Sequence, residues 1–387
     1  MTCATDMETT TAAALRTDRA GGPTVVLGIE SSCDETAVAL VRRNTDGSGT
    51  ILSNVVRSQW EQHRPFGGVV PEIAARAHIE CIAEITGDAL ATAGADSGGI
   101  GWAEIDCIAA TAGPGLVGGL LVGLTFAKGL ALAHGKPFLA INHLEAHALT
   151  VGLTDAIRPP YLLLLVSGGH TQTVLVRDID DYHRIGSTID DALGEAFDKT
   201  AKILGLGFPG GPAVEAAARD GDAARFALPR PLHGRAEPHF SFAGLKTAIR
   251  REAERQQPLD DATIADLTAS FEAAVCASVI DRVQLAHRLA GDLTAPVRDL
   301  PIVVAGGVAA NKRLRGALET LGAECGVAVY FPPIALCTDN GAMIAWAGAE
   351  RYVRGLTSEL DVAARARWPL DESAAPIIGA GRHGPNA

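Results

Sequence analysis

The chain has 387 residues, of which 47% are hydrophobic and 20% are charged, a composition that excludes an intrinsically disordered protein. Its formal net charge of -12 argues against broad, non-specific binding of nucleic acids, because proteins with that property usually carry a basic excess. The length exceeds what one hydrophobic core usually serves and therefore predicts two domains.

Residues 1–23 contain no apolar run of the kind that a secretory signal needs, so we expect a disordered N-terminal extension and a fold that begins near Thr24. A flexible tail is expected at 371–387. The apolar stretch 115–135 is interrupted by glycines and by Lys128, which favours a buried helix over a membrane span. The seven cysteines are scattered and form no CxxC pair, which argues against a disulfide framework and predicts a cytoplasmic protein.

Two stretches of the chain repeat the layout of strand, polar turn and strand. The first reads TVVLGIESSCDETAVALV from Thr24, and the second reads PYLLLLVSGGHTQTVLV from Pro160. Strand-like and helix-like segments alternate from 25 to about 352, which is typical of α/β proteins, and the repeated hairpins indicate an internally duplicated fold. Backbone N–H groups at such turns can approach phosphate, although a tight turn without a ligand has the same composition.

The stretch INHLEAHALT places two histidines four residues apart. On a helix, His143 and His147 lie on one face and form half of a site for a divalent transition metal, although the same spacing also occurs on ordinary helices. Asp339, at the start of a later predicted helix in LCTDNGAMIAWAG, could supply a carboxylate ligand. Two histidines and one carboxylate leave coordination positions open, as a catalytic metal requires, and they suit both zinc and iron.

Two further glycine-rich segments favour a nucleotide site. In PIVVAGGVAANKRLRGAL a strand meets Gly306 and Gly307 before a helix that carries Asn311, an order that suits a phosphate at the helix N-terminus. Packing of a strand against a helix without any ligand is the alternative. In LGFPGGPAVE, Gly211 follows a short predicted helix that carries Asp198, and we expect this carboxylate to line the cleft between the domains.

Charged residues indicate two more candidate roles. Asp34 and Glu35 form an acidic pair at the first turn and could accept the proton of an incoming amine, or could only bind loop N–H groups. Lys246, Arg250 and Arg251 fall on one face of a predicted helix in HFSFAGLKTAIRREAER. They could follow a phosphate backbone, although a solvated helix face has the same pattern.

Several motifs occur in order along the chain from about 25 to 370. They read GIESSCDETAVA, GGVVPEIAARAHIE, ATAGPGLVGGLLVG, NHLEAHALT, LLVSGGHTQ, GEAFDKTAKILGLGFPGGP, FSFAGLKTAI, VAGGVAANKRLR and CTDNGAMIAWAG. In this order they strongly resemble the tRNA N6-adenosine threonylcarbamoyltransferase family, formerly called O-sialoglycoprotein endopeptidases. The NHLEAH and CTDNGAMIA motifs are the most specific of them.

The resemblance implies an actin-like ATPase fold of the sugar kinase and Hsp70 type, with two duplicated α/β lobes and a central cleft. We expect an N-terminal lobe at 24–158 with the metal-binding helix and a C-terminal lobe at 159–338 with the nucleotide-binding loops. A helix at about 339–354 should pack back on the first lobe. The implied metal ligands are His143, His147 and Asp339. The implied nucleotide contacts are Leu165, Val166, Ser167, Gly168, Gly169, Asp198, Gly211 and Asn311.

The implied reaction transfers a threonylcarbamoyl group from threonylcarbamoyl-AMP to N6 of adenosine 37 in tRNAs that read codons starting with A. The resemblance implies one divalent metal per chain, iron before zinc, and ATP or ADP as further ligands. Expected partners are tRNA, an inactive paralogous subunit, a small ATPase and the upstream synthase that makes threonylcarbamoyl-AMP. No association with a membrane is expected. Asp34 or Glu35 would handle the amine proton, and the helix with Lys246, Arg250 and Arg251 would contact tRNA.

Two other classes of protein share parts of this pattern. A metalloprotease would use the histidine pair, but zincins place a glutamate directly after the first histidine, where this chain has Leu144. A sugar kinase or a non-catalytic actin-like scaffold would keep the glycine-rich turns. It would have no need for His143, His147 and Asp339 together.

Overall fold

The computed structural model describes residues 22–66, 68–94, 99–294 and 299–375. Most of the expected N-terminal extension, 1–21, and the part of the expected tail at 376–387 lie outside the described residues. Residues 371–375 are attached to the folded chain, because the Asp371 carboxylate accepts a hydrogen bond from the Arg184 backbone N–H at 2.9 Å.

The first sheet combines an antiparallel meander with two parallel strands. The meander consists of β1 (Thr24–Glu30), β2 (Glu35–Arg43) and β3 (Gly49–Ser58), and the parallel strands are β4 (Cys107–Gly113) and β5 (Phe138–Asn142). The strand order is β3-β2-β1-β4-β5, with β4 parallel to β1 and β5 parallel to β4.

The second sheet repeats this plan. Its meander consists of β6 (Tyr161–Val166), β7 (Thr171–Asp178) and β8 (Asp181–Ser187), and its parallel strands are β9 (Ile302–Ala305) and β10 (Val329–Tyr330). The order β10-β9-β6-β7-β8 matches the first sheet strand for strand. The α/β fold of two duplicated lobes, predicted from the two hairpins and the family resemblance, is therefore confirmed.

Helices cover both sheets. They are α1 (Trp60–His63), α2 (Pro71–Thr92), α3 (Val117–His134), α4 (His143–Thr154), α5 (Leu193–Leu204), α6 (Gly210–Ala218), α7 (Ala243–Arg255), α8 (Asp261–Leu293), α9 (Lys312–Cys325), α10 (Ile334–Cys337) and α11 (Gly341–Tyr352). Helices α2 and α3 cover one face of the first sheet, and α4 and α11 cover the other. In the second lobe one core joins β6 and β9 to α5, α6, α7, α8 and α9.

Helix α4 lies between the two sheets, and this position explains its apolar sequence. Ala146 and Leu149 pack with α11 and the first sheet, whereas Leu144, Ala148 and Val151 pack against β6 and β9 of the second. A helix that is buried on nearly every side needs apolar residues on nearly every side. The histidines of α4 are consequently held at the junction of the two lobes.

Helices α3 and α8 are the two described helices that are long and apolar enough to cross a membrane by length and composition. Two thirds of the most apolar part of α8 (67%) is buried inside the fold, but for α3 the buried share is 33%. The helix expected at 115–135 packs on its sheet through one buried stripe, while Leu121 and Leu132 on its outer side are 50% and 74% exposed. The reason is that an outer-layer helix buries only the stripe that faces its sheet.

Candidate active site

His143, His147 and Asp339 come together at the starts of two helices. His143 is the first residue of α4 and His147 lies one turn later, with their ring centroids 4.8 Å apart. Asp339 lies just before α11, and its Oδ1 atom is 3.4 Å from His143 Nε2 and 3.2 Å from His147 Nε2. Asn142 fixes the start of α4, because its side chain accepts a hydrogen bond from the Leu144 N–H at 2.9 Å.

This donor set fits one divalent transition metal. The three ligand atoms lie within 4.8 Å of one another. Ligands that share an ion at about 2.0–2.2 Å each lie roughly 3–4 Å apart, so only small side-chain movements are needed. Two imidazoles and one carboxylate occupy three positions and leave others for water or substrate.

The electrostatics of the group favour a bound cation. Burial alone would raise the pKa of Asp339, but His143 and His147 outweigh burial and hold that pKa below its ordinary value. Burial would likewise lower the pKa of His143, yet the carboxylates of Asp339 and Glu30 raise it well above its ordinary value. In the metal-free protein, a proton and a metal therefore compete for the same imidazole.

Sequence reasoning missed one member of this cluster, Glu30. Glu30 ends β1 and is completely buried (0% exposed). Its Oε2 atom lies 3.0 Å from His143 Nδ1 and accepts a hydrogen bond from Thr111 Oγ1 at 2.5 Å, while Oε1 accepts one from the Ser32 N–H at 2.5 Å. A signal was present in the sequence, because a lone carboxylate at the end of the apolar strand TVVLGIE needs partners if it is buried.

The acidic pair Asp34 and Glu35 lies close enough to interact electrostatically with this cluster. Glu35 begins β2 opposite Ser58, and both carboxylates are half-buried. Burial raises the pKa of Glu35 to about 9, and the negative charges of Asp339 and Asp34 add to that rise. In the metal-free protein Glu35 is consequently protonated at neutral pH and can donate a hydrogen bond.

Four of the predicted nucleotide contacts line one pocket in the second lobe. The pocket has a volume of about 190 Å³ and its lining includes Gly168, Asp198, Gly211 and Asn311. Sequence reasoning missed Gly194 at this pocket, although a glycine at the start of a helix facing a glycine-rich turn is a usable signal. A Cβ at Gly194 would lie 2.7 Å from the Ser167 carbonyl oxygen, so only glycine lets α5 approach this turn.

The other predicted nucleotide contacts lie outside the lining. Ser167 and Gly169 belong to the turn between β6 and β7, next to the pocket, and the Ser167 N–H donates to the His170 carbonyl at 2.8 Å. Leu165 and Val166 are fully buried within β6 and face the packed layers on the two sides of the sheet. These two side chains are core residues, because successive residues of a strand point to opposite, here equally covered, faces.

Two polar side chains of the pocket are tied into the fold. Asn311 is the N-cap of α9, with Oδ1 accepting from the Leu314 N–H at 2.9 Å, while its Nδ2 donates to Glu272 Oε1 at 2.7 Å. Asp198 Oδ1 accepts from the Gly210 N–H at 2.7 Å. Burial raises the pKa of Asp198, and the bond from Gly210 opposes that rise. Both side chains are thus pre-positioned before any ligand arrives.

Helix α10 connects the pocket to the metal-binding group along the chain. Helix α10 contacts the turn Gly307–Ala310, which contributes to the pocket, and Asp339 follows two residues after this helix. The two lobes also meet through an aromatic contact, in which Trp60 of α1 stacks on Phe208 with ring centroids 5.0 Å apart and an angle of 22° between the planes.

The predicted basic residues lie on α7 of the second lobe. Arg250 and Arg251 are exposed and Lys246 is half-buried. Within the described ranges, none of the three forms an ion pair, in contrast to Arg255 of the same helix, which pairs with Glu252 at 2.6 Å. Their charges are therefore available to an external anion.

The fold defines a two-lobed protein of the actin-like ATPase class, with a three-residue candidate metal-binding group and a glycine-lined pocket. The chain belongs to the tRNA N6-adenosine threonylcarbamoyltransferase family, whose family model matches residues 50–346. Relatives from Brucella anthropi and Brucella canis that carry this name are each 59% identical to the chain, over 94% of its length and 99% of their own. The family resemblance given by the motifs is therefore confirmed.

Solved structures support the fold. HypF from T. kodakarensis superposes with a TM-score of 0.56 at 14% sequence identity, covering 87% of this chain and 49% of HypF. A full-length HypF in the phosphate- and nucleotide-bound form gives a TM-score of 0.52 at 13% identity, covering 86% of this chain and 46% of its own. At such low identity the likeness concerns the actin-like fold alone.

Proposed function

We propose that this transferase moves a threonylcarbamoyl group from threonylcarbamoyl-AMP to N6 of adenosine 37 in tRNAs that read codons starting with A. Family membership supports a transferase that acts on tRNA. The observation that carries the finer proposal is that a three-ligand metal-binding group and a glycine-lined pocket occur in one chain and are connected through α10. An activated acyl adenylate needs both, because its nucleotide must be held while its carbonyl is polarised.

The glycine-lined pocket is the proposed site of the adenylate. Gly168 and Gly211 let the ligand approach the backbone closely, since no atom lies within 4 Å of a Cβ built at either position. Asn311 keeps one N–H beyond its bond to Glu272 and can present it to a ribose or base. ATP or ADP would occupy the same pocket.

His143, His147 and Asp339 are the proposed ligands of one divalent metal, for which iron is the first expectation and zinc the second. When bound, such an ion supplies a Lewis acid that polarises a carbonyl or phosphoryl oxygen. Helix α4 carries the two histidines, and Asp339 lies directly before α11.

The transfer forms a bond between N6 and the carbamoyl carbon and breaks the bond from that carbon to the AMP phosphate oxygen, so AMP leaves and N6 loses a proton. Asp34 and Glu35 are the proposed residues for this proton. Either carboxylate of the pair could accept the proton once it is ionised.

The exposed basic residues of α7, Lys246, Arg250 and Arg251, form this chain's proposed contact with tRNA. The net charge of -12 disfavours strong tRNA binding by this chain alone, so an inactive paralogous subunit and a small ATPase are proposed to supply the rest. A separate synthase would provide threonylcarbamoyl-AMP. The supply of tRNA and of this intermediate is consistent with a cytoplasmic location.

The metalloprotease alternative lacks its general base. The carboxylate between the two histidines belongs to Glu145, which accepts hydrogen bonds from Arg351 Nη1 at 2.9 Å and from the Tyr182 hydroxyl at 2.7 Å. A carboxylate engaged in this way cannot activate water between the histidines.

The decisive experiment measures transfer from supplied threonylcarbamoyl-AMP to unmodified tRNA, with the proposed partners present. The native chain should transfer and His147→Ala should lose transfer, whereas His233→Ala should not, because His233 is half-exposed and pairs with Asp281 away from the cleft. Asp34→Ala should reduce transfer without weakening binding of the adenylate. No transfer by the native chain would remove the proposed reaction and favour a sugar kinase or a scaffold.

The tRNA contact has its own test. Changing Arg250 and Arg251 to Glu should weaken tRNA binding and flatten its dependence on salt, since each lost phosphate contact lowers the slope of log K against log salt by about 0.7–0.9. The control reverses Arg64 and Arg76, whose side chains on the first lobe are 65% and 83% exposed. An equal change of slope in both variants would show a non-specific charge effect and refute the assignment of α7.

A further inference from the structure

The carboxylate of Glu30 occupies an unusual place, at the end of a strand whose other residues are small or apolar. It has no solvent exposure, and Thr111 and Ser32 hold its two oxygens. Burying a carboxylate costs several kcal/mol unless its oxygens are bonded, so a charge at this position is kept only if its partners satisfy it. The partner that links it to the active site is His143.

The contact fixes which nitrogen of His143 faces the metal-binding group. Glu30 Oε2 lies 3.0 Å from Nδ1, and Ser32 Oγ lies 3.2 Å from the same nitrogen, whereas Nε2 faces Asp339 at 3.4 Å. A carboxylate can only accept, so Nδ1 carries a hydrogen towards Glu30, and Nε2 is the nitrogen that can bind a metal once its own proton is lost.

The second histidine lacks such an anchor. His147 Nε2 lies 3.2 Å from Asp339 Oδ1, but its Nδ1 has no hydrogen-bond partner within the described part of the chain. The two imidazoles are therefore held differently. His143 has a second carboxylate contact, to Glu30, that His147 lacks within the described residues.

We infer that Glu30 is a positioning residue for the metal, which acts through His143 and touches neither the metal nor the substrate. Its charge fixes the tautomer and the ring plane of His143 and makes Nε2 a stronger donor. The inference rests on the proposed metal role of His143, His147 and Asp339. It adds a fourth residue whose effect appears in metal affinity before any chemistry occurs.

Glu30→Gln tests this inference, because it keeps the shape of the side chain and removes its charge. The probe is Co²⁺, with affinity measured by competition with a chromogenic chelator and geometry read from its visible spectrum. We expect affinity to fall about 10–100-fold, the usual effect of removing such a partner, together with an altered spectrum. Glu30→Asp keeps the charge and should recover part of the lost affinity.

The matched control is Glu145→Gln. Glu145 is also a fully buried carboxylate and lies on α4 itself, but it faces Arg351 and Tyr182. If burial of a charge were all that mattered, both glutamine variants would lose stability and neither would change Co²⁺ affinity selectively. Affinity within about 2-fold of native in folded Glu30→Gln would overturn the inference.

The native protein provides a second readout that needs no variant to fold. In the Zn²⁺-loaded chain, ¹⁵N-labelled histidine should show His143 with a metal-bound Nε2 and a hydrogen-bonded Nδ1 proton at low field. Coordination through Nδ1 would overturn the inference. Because these measurements use neither tRNA nor threonylcarbamoyl-AMP, their failure is distinguishable from failure of the proposed reaction.

Discussion

The contact between β1 and α11 leaves no room for a side chain at Gly28. A Cβ there would lie 2.6 Å from the Gly341 carbonyl oxygen and 2.7 Å from Cα of Ala345, which are backbone atoms that move only if the helix moves. Restoring an ordinary contact requires α11 to shift by roughly 1 Å, and overpacking of this kind costs about 1–3 kcal/mol. We expect Gly28→Ala to lower the free energy of unfolding by that amount.

The same shift should weaken metal binding. Asp339 lies directly before α11, whereas His143 and His147 stand on α4, so moving α11 changes the distances between the ligands. Metal–ligand distances tolerate errors of only about 0.2 Å. We therefore expect affinity for Zn²⁺ to fall at least about 10-fold, equivalent to about 1.4 kcal/mol.

Urea denaturation of the metal-free protein measures the first effect, and competition with a chelator measures the second. Gly129→Ala is the control, because Gly129 lies within α3 and no atom lies within 4 Å of its added Cβ. It should raise the free energy of unfolding by about 0.5–1 kcal/mol and leave metal binding unchanged. Native values of both quantities in Gly28→Ala would refute the argument.

Two further predictions concern single side chains. Asn311→Ala should lower the free energy of unfolding by about 2–4 kcal/mol, because it removes the cap of α9 and leaves the Glu272 carboxylate without its amide partner. Urea denaturation measures this loss, and a value below about 1 kcal/mol would contradict the double role of Asn311. Affinity for Zn²⁺ should fall about 10-fold per pH unit below the raised pKa of His143, because the proton occupies the metal-binding nitrogen. Chelator competition between pH 8 and pH 5 measures this profile, and a flat one would be inconsistent with His143 as a ligand.

The sequence predicted those features that repeat or that lie close together in the chain. The two hairpins revealed the duplicated fold, and the spacing of His143 and His147 placed them on one helix face. Asp339 is 192 residues from His147, so spacing could not connect the two; its residue type made it a candidate ligand, and the family motifs implied the same set. Its role as a ligand, like those of the histidines, stays a prediction.

Other features depend on contacts that no local pattern encodes. Glu30 is 113 residues from His143 and reads as an ordinary polar strand end. Leu165 and Val166 match a family motif, but only the packing on both sides of β6 shows that their side chains belong to the core. The exposure of the outer side of α3 could not be predicted either, because a composition rich in glycine and leucine does not reveal whether a second layer covers a helix.

The position of α11 has a consequence for synthesis of the chain. The first sheet is complete at Asn142, but α11, which buries Trp346 against it, begins only at Gly341. Roughly 200 residues must be translated in between, which takes about 10–40 s at 5–20 residues per second. During that interval the face of the sheet that α4 and α11 cover together lacks the part contributed by α11, and Asp339 has not been made. The proposed metal site can therefore be completed only after nearly all of both lobes has been translated.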